Sequence, residues 1–405
     1  MIEAGISLTK KSRLSGAWTL VLFGSLTAFG PLTLDLYLSA LPEIGKELGA
    51  GASLTQLSLT SCLIGLAAGQ MLIGPISDVK GRRLPLIVGL VCYVVSALAC
   101  YLAPTIGLFI AFRLLQGLAA ASGLVIARAA LRDLYDGPRF TKASARLVLV
   151  MGAAPIFAPM LGARVVEASS WRILFLGLSF IGAVMLLTVF FYFRETLLPE
   201  RRSRAGLGLA LGRYAMLLRD RTFMACALTQ GFLLAALFAY LAGSPYVLQE
   251  LFGLTPERFS LAFGLNGFGF IAASQLVGWL AGRVSETRLL RLGIGLACLG
   301  SAALLSSIAL GTGLYGILPS LFVLIASMGI VAPCASSLAL QNQGGAAGAA
   351  AALLGLTSFL FGAASSPLVG LGGSGTAVPF GAVIAASTCA AAVCSYTLLR
   401  RKRNE

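Results

Sequence analysis

Two ionisable residues of opposite charge stand inside long apolar runs of this sequence: Asp35 in the run over about 16–40, and Arg113 in the run over about 106–130. Asp35 falls about six residues before the end of its run, and Arg113 about seven residues into its own. At the rise of a helix, roughly 1.5 Å per residue, both sit about 9–11 Å below the same surface, so a pair is geometrically open to them. A charge at that depth costs at least about 2.5–3.5 kcal/mol, and ionisable groups kept there mark ion or substrate paths. The chemistry such a pair offers is proton exchange. Burial favours the neutral carboxyl, whereas hydration or a close guanidinium favours the carboxylate, so protonation follows conformation. The alternative is a static ion pair orienting two helices, which is weak evidence for stability. Sodium coupling would ask a single carboxylate to do the work of a larger oxygen ligand set.

Other chemistry is poorly served. The chain has no His, and no other acid stands in the middle of an apolar run. No nucleophile–base constellation or nucleotide-binding loop is present, so an enzyme is not expected. The eight cysteines (Cys62, Cys92, Cys100, Cys226, Cys298, Cys334, Cys389, Cys394) lie in apolar stretches without a CxxC pattern, and read as packing residues rather than metal ligands or disulfides. No metal site and no cofactor are expected.

The elements that must position Asp35 and Arg113 follow from composition. Of 405 residues, 58% are hydrophobic and 11% charged, with mean hydropathy +0.91. A soluble domain carries about 25% charged residues. Soluble, collagen-like and disordered classes are therefore excluded, and a polytopic membrane protein remains. Apolar runs place spans at about 16–40, 53–77, 84–103, 106–130, 143–166 and 172–194, then 222–249, 257–281, 289–311, 314–339, 346–370 and 377–399. One long polar stretch interrupts them. It predicts an N-terminal six-helix bundle over 1–194, a cytoplasmic linker over 195–221 and a C-terminal bundle over 222–405. The expected fold is thus all-α, with twelve transmembrane helices in two six-helix halves and a substrate site at their midplane.

Charge sets the orientation. The net charge of +15 would suggest nucleic acid in a soluble protein, but here the basic residues cluster between apolar runs, so no nucleic-acid partner is expected. With both termini in the cytoplasm, only Lys46, Arg164, Arg172 and Arg258 fall outside, and Arg113 within a span. The positive-inside bias predicts that arrangement in the cell membrane. The cluster Lys10, Lys11, Arg13 precedes an uncleaved first span, and Arg400–Arg403 anchors the last.

Four motifs sharpen this reading. Gly74-Pro75-Ile76-Ser77-Asp78-Val79-Lys80-Gly81-Arg82-Arg83, between spans two and three, resembles the G-x-x-x-D-x-x-G-R-[RK] signature of the major facilitator superfamily. Gly74 would allow close helix approach, Gly81 a tight turn, and Asp78 a bond to an Arg or a helix N-terminus, making a cytoplasmic gate of Gly74, Asp78, Gly81, Arg82 and Arg83. The corresponding loop of the second half, Gly278 to Arg283, resembles a worn copy with Gly282 in place of the acid. Arg113-Leu114-Leu115-Gln116-Gly117 is similar to the superfamily's R-x-x-Q-G motif, which implies proton coupling. Gly152, Pro155, Pro159 and Gly162 lie in a stretch that resembles the antiporter motif G-x-x-x-G-P-x-x-G-G, with Ala158 and Ala163 replacing two glycines. Trp171-Arg172 with Phe175, and Glu195-Thr196-Leu197, are also superfamily-like.

Leu34-Asp35-Leu36-Tyr37-Leu38-Ser39-Ala40-Leu41-Pro42 and Arg128-Ala129-Ala130-Leu131-Arg132-Asp133 resemble the bicyclomycin/chloramphenicol-resistance (Bcr/CflA) branch of drug:proton antiporters. Ser39 replaces that branch's usual proline, which implies a milder bend in the first span. The resemblance implies proton-coupled efflux of small amphipathic, drug-like compounds by alternating access, driven by the proton gradient and performed by a monomer. A largely apolar cavity is expected, faced by Tyr37, Gln116, Gln230, Tyr240, Tyr246 and Asn266, with Asp35 able to meet a cation. Packing, or hydrogen bonds between helices, is the competing reading for these side chains. Rival functions are export of an endogenous metabolite by the same cycle, a proton symporter, or a non-transporting membrane receptor.

Overall fold

The computed structural model of the chain describes residues 16–135, 147, 157–202, 206–280, 283–341, 347–373 and 375–400. Among them, 11 helices are long and apolar enough to cross a membrane, and no β-strand occurs. Helices are what lipid demands, because each satisfies its own backbone polar groups. The first half contains α1 (Gly16–Asp35), α2 (Ala52–Lys80), α3 (Arg83–Leu102), α4 (Ile106–Leu134), α5 (157–168) and α6 (Trp171–Tyr192). The second contains α7 (Arg221–Pro245), α8 (Pro256–Leu280), α9 (Glu286–Ala309), α10 (Leu314–Leu340), α11 (Ala347–Val369) and α12 (Val378–Arg400). Of the span expected at 143–166, only the part held in α5 lies within the described residues.

Local chemistry sets several of these boundaries. The Thr105 hydroxyl caps α4, Ser170 caps α6, and one Asp220 carboxylate oxygen accepts the Thr222 and Phe223 N–H groups at the start of α7. Large side chains such as Phe180 and Phe191 are each 70% exposed on the outer wall. Such a surface is stable only against lipid.

Both halves pack to one plan. In the first, α4 receives α1, α2 and α3, and α3 also packs on α6; in the second, α10 receives α7, α8 and α9, and α9 packs on α12. Glycines permit the closest approaches. A Cβ on Gly117 of α4 would strike the Cys62 carbonyl of α2, and one on Gly329 of α10 would strike the Phe270 carbonyl of α8. Gly65 and Gly69 lie against the Leu114 and Leu118 backbone, which makes their spacing a packing feature.

Between the halves, α2 runs along α11, where Thr60 donates to the Ala363 carbonyl (3.2 Å) and Ser53 to the Pro367 carbonyl (3.2 Å). We call the end bearing the 80–83 loop the basic end, and the opposite one the far end. Further bridges gather at the far end. Tyr246 donates to the Leu41 carbonyl (3.3 Å), Ser260 to the Pro159 carbonyl (3.1 Å), and Arg164 pairs with Glu257 (2.6 Å).

Two departures from expectation matter for the site. The helix over 16–40 stops at Asp35, continues as a tight turn at Leu38–Ala40, and resumes as Leu41–Glu47. The helix is therefore interrupted here even though Ser39 stands in place of proline. Pro42 has no N–H to offer the Leu38 carbonyl, which the Leu41 N–H takes instead. The first helix of the second half also changes its winding, passing at Pro245 into a wider turn over Tyr246–Leu251. Secondly, the linker is not merely polar: it carries a helix, Gly206–Arg219, after a turn at Pro199–Arg201.

Candidate functional site

Arg113 is fully buried in the first half. Its position on α4 places Gln116 one turn on and on the same face. One guanidinium nitrogen donates to Gln116 Oε1 (2.7 Å), and another to the Thr33 carbonyl of α1 (3.1 Å). The guanidinium carbon lies 4.1 Å from the centre of the Tyr37 ring and 5.6 Å from that of Phe175. Tyr37 is itself held by Ser58 (3.3 Å between hydroxyls) and edge-on to Phe109 and Phe175. Arg113 Nε has no hydrogen-bond partner among the described residues. A cation is thus held by one amide, one carbonyl and aromatic faces, a mode suited to a delocalised guanidinium.

The expected pairing with Asp35 is not formed. No ion pair among the described residues includes either side chain. The reason lies in α1. The Thr33 hydroxyl bonds to Tyr93 of α3 (2.7 Å), so that face of the helix looks into the first half. Two residues on, the chain has turned by about 200° and Asp35 points the other way. Nor does Asp35 sit close to the end of its span. It is the last residue of α1 and lies near the middle of the whole span Trp18–Glu47.

Asp35 is 4% exposed and lies within electrostatic range of Tyr240 on α7, in the other half. The Tyr240 hydroxyl accepts from Asn266 Nδ2 of α8 (3.0 Å), and its ring stacks on Phe263 (5.4 Å, 16°). Asp35, Tyr240 and Asn266 therefore meet between the halves. The other candidates are dispersed. Tyr37 and Gln116 hold Arg113. Tyr246 bonds to Leu41 at the far end. Gln230 accepts from Ser336 of α10 (3.1 Å), in the direction of the basic end from Tyr240.

At the basic end, Gly81 has φ +89°, and a Cβ there would meet the Glu195 carboxylate, so the turn requires glycine. Arg82 pairs with Asp78 (2.6 Å) and with Asp133 at the end of α4 (3.0 Å), and donates to Ser77 (2.7 Å). Burial works against its charge, but Asp133 and Asp78 outweigh that and hold the guanidinium above its ordinary range. Glu195 accepts the Arg82 and Arg83 backbone N–H groups (2.8 and 3.2 Å), and Arg83 donates to the Phe190 carbonyl (2.7 Å). This knot joins α2, α3, α4 and α6 within one half. Gly74 does not serve close approach as expected: a Cβ there would meet only Val125, at 3.9 Å.

Of the antiporter motif, Gly152 and Pro155 lie outside the described residues. Gly162 lets α5 sit directly on the Leu36 carbonyl, just past Asp35, and the Pro159 carbonyl accepts the bridge from Ser260. Sequence reasoning missed one clamp. Glu47 accepts from the Trp171 indole (2.6 Å) and from Arg172 (3.0 Å), fixing the segment after the break to the start of α6. The adjacent Trp-Arg in a span's first turn was its signal. None of the eight cysteines is in a disulfide, and no metal-binding group occurs among the described residues.

Two parallel bundles with a buried cation, an interfacial acid and a knotted 78–83 loop define a secondary transporter scaffold. The chain belongs to the Major Facilitator Superfamily, whose family model matches residues 21–367. It is 40% identical over 378 residues to an uncharacterized MFS-type transporter, YdgK, of Bacillus subtilis, covering 93% of each chain. It is 27% identical to a bicyclomycin resistance protein homolog of Haemophilus influenzae, covering 93% of this chain and 95% of that one. In fold it is similar to a bacterial homologue of the human lysosomal transporter Spinster, with TM-score 0.73, 12% identity, and coverage of 96% of this chain and 97% of that one. The resemblance to the bicyclomycin/chloramphenicol-resistance branch thus agrees with the name of a relative matched along nearly the whole chain.

Proposed function

We propose that this membrane protein exports small amphipathic compounds across the cytoplasmic membrane in exchange for protons, as a monomer with both termini in the cytoplasm. The observation that carries the reading is Asp35, a buried acid at a helix break between the halves, in no ion pair among the described residues. A carboxyl group enclosed by apolar side chains is stable neutral, and one reached by water is stable charged. A proton from outside neutralises Asp35 and releases substrate. Loss of that proton on the cytoplasmic side readies the cavity, and the halves rock about the site. Arg113 acts through α1: its bond to the Thr33 carbonyl ties helix position to a fixed positive charge near the acid.

The relatives' resistance names support a drug-like substrate class. The charge bias of the loops supports the orientation, with the basic end cytoplasmic. The test is proton flux in proteoliposomes. With Asp35→Asn, substrate-driven proton movement should fall to the empty-vesicle rate while the protein stays folded. Unchanged flux would remove Asp35 from the cycle.

A further inference from the structure

The helix Gly206–Arg219 is not used by the cycle above, yet it has a fixed place on the bundle. Only Asp220 separates it from α7. The Asp220 N–H donates to the Leu217 carbonyl (3.1 Å), closing the linker helix, while its carboxylate caps α7. A joint this short, secured on both sides, makes the linker helix an arm of α7 and so of the second half. Tyr214 and Leu217 share one face of it. Both are buried in a cluster with Phe223 and Cys226 of α7 and with Leu353 and Leu354 of α11. The same cluster takes in Met71 of α2, and the helix packs on α2 as well as on α11. An arm of one half therefore lies across the seam onto the other.

The two ends of that seam are held by different forces. The bonds from Thr60 and Ser53 of α2 lie level with Thr60 or nearer the far end. At the far end itself stand the bonds of Tyr246 and Ser260, the Arg164–Glu257 pair, and a further pair between Lys46 and Glu250 (3.5 Å). From Thr60 toward the basic end, contact along α2 passes to close packing. Gly355 of α11 leaves room for the Gln70 side chain, and Met71 beside it meets the arm. Closure by apolar burial needs no directed bond: it is favoured while water is excluded, and parting the surfaces wets them.

We propose that the linker helix is a hydrophobic clasp on the basic end: it holds α2 against α11 there, and it releases Met71 whenever that end opens while staying fixed to α7. The proposal rests on the rocking of the halves put forward above, but on neither the substrate nor Asp35. Its test reads the distance between the halves directly. Val79 of α2 and Ala351 of α11, both exposed and outside the cluster, are replaced by the ketone amino acid p-acetylphenylalanine and labelled with nitroxides, which leaves the native cysteines untouched. Pulsed electron–electron double resonance on the full chain in lipid vesicles then gives the shares of a short and a long distance. Tyr214→Ala combined with Leu217→Ala is expected to raise the ratio of long to short about fivefold or more. Met71→Ala, which trims the same contact from the other side, should move the ratio in the same direction. Labels at exposed Leu102 and Tyr315 report the far end. If the double variant broadens that pair as an unfolded chain would, Met71→Ala decides. A native protein that shows both distances, in a ratio the clasp variants leave unchanged, would overturn the clasp alone. A long distance absent from the native protein and from every variant would overturn the rocking as well.

Discussion

At the scale of single residues, the two buried charges are separated by the geometry of one helix turn. Arg113 is satisfied without a carboxylate, through Gln116, the Thr33 carbonyl and the Tyr37 ring. That arrangement needs a planar fork, which lysine lacks. Arg113→Lys is expected to keep the charge yet lose one of the two hydrogen bonds, each worth about 1.5–3 kcal/mol for a charged donor. Transport should fall by tenfold or more while the protein remains folded; a lysine variant transporting at the native rate would show that charge alone suffices. The identity of both residues was legible in the sequence, since a lone acid and a lone base in apolar runs are conspicuous. Their separation was not. Equal depth suggested a pair, but direction around the helix depends on which side of α1 meets α4, and that is fixed by Thr33 and Tyr93. Gly81 was read correctly because a left-handed turn leaves few alternatives, whereas Gly74 shows that a motif glycine need not mark a tight approach.

At the scale of elements, span positions followed from hydropathy, and where both ends are described they agree with the helices to within a few residues outside the first and seventh. Those two fail for a shared physical reason. Apolar content continues past Asp35 and past Pro245, but the regular step of the backbone hydrogen-bond ladder does not: it tightens after the first and widens after the second. Hydropathy measures the side chains and is blind to that ladder. Contact between elements rests on small residues. Gly117→Ala would drive a Cβ into the Cys62 carbonyl, whereas Gly107 on the same helix faces open space. The first substitution is expected to destabilise the protein by about 1–3 kcal/mol, and Gly107→Ala to be neutral or mildly stabilising. Comparison of their unfolding midpoints in one detergent checks this; equal midpoints would mean that α2 and α4 are not in the contact described.

At the scale of the whole molecule, the halves are joined along α2 and α11 and again at the far end, through Tyr246, Ser260 and the Arg164–Glu257 pair. An exposed pair of this kind contributes less than about 1 kcal/mol, so its loss should scarcely change stability. Its position has a larger consequence. If transport requires the far end to part, replacing Arg164 and Glu257 by cysteines and joining them with a short bismaleimide should stop transport, while either single cysteine should not. Full activity in the joined protein would mean that substrate leaves by another route.

The paired interruptions in α1 and α7 bear on this from a mechanical side. Each half has its first rod notched, mid-span after Asp35 in α1 and nearer the far end after Pro245 in α7. Bending stiffness falls where the carbonyl ladder changes its step, so each notch acts as a living hinge. The segment Leu41–Glu47, tied through Glu47 to the start of α6, can then travel with its own half, and Tyr246–Leu251 with the other, without unwinding the long shafts.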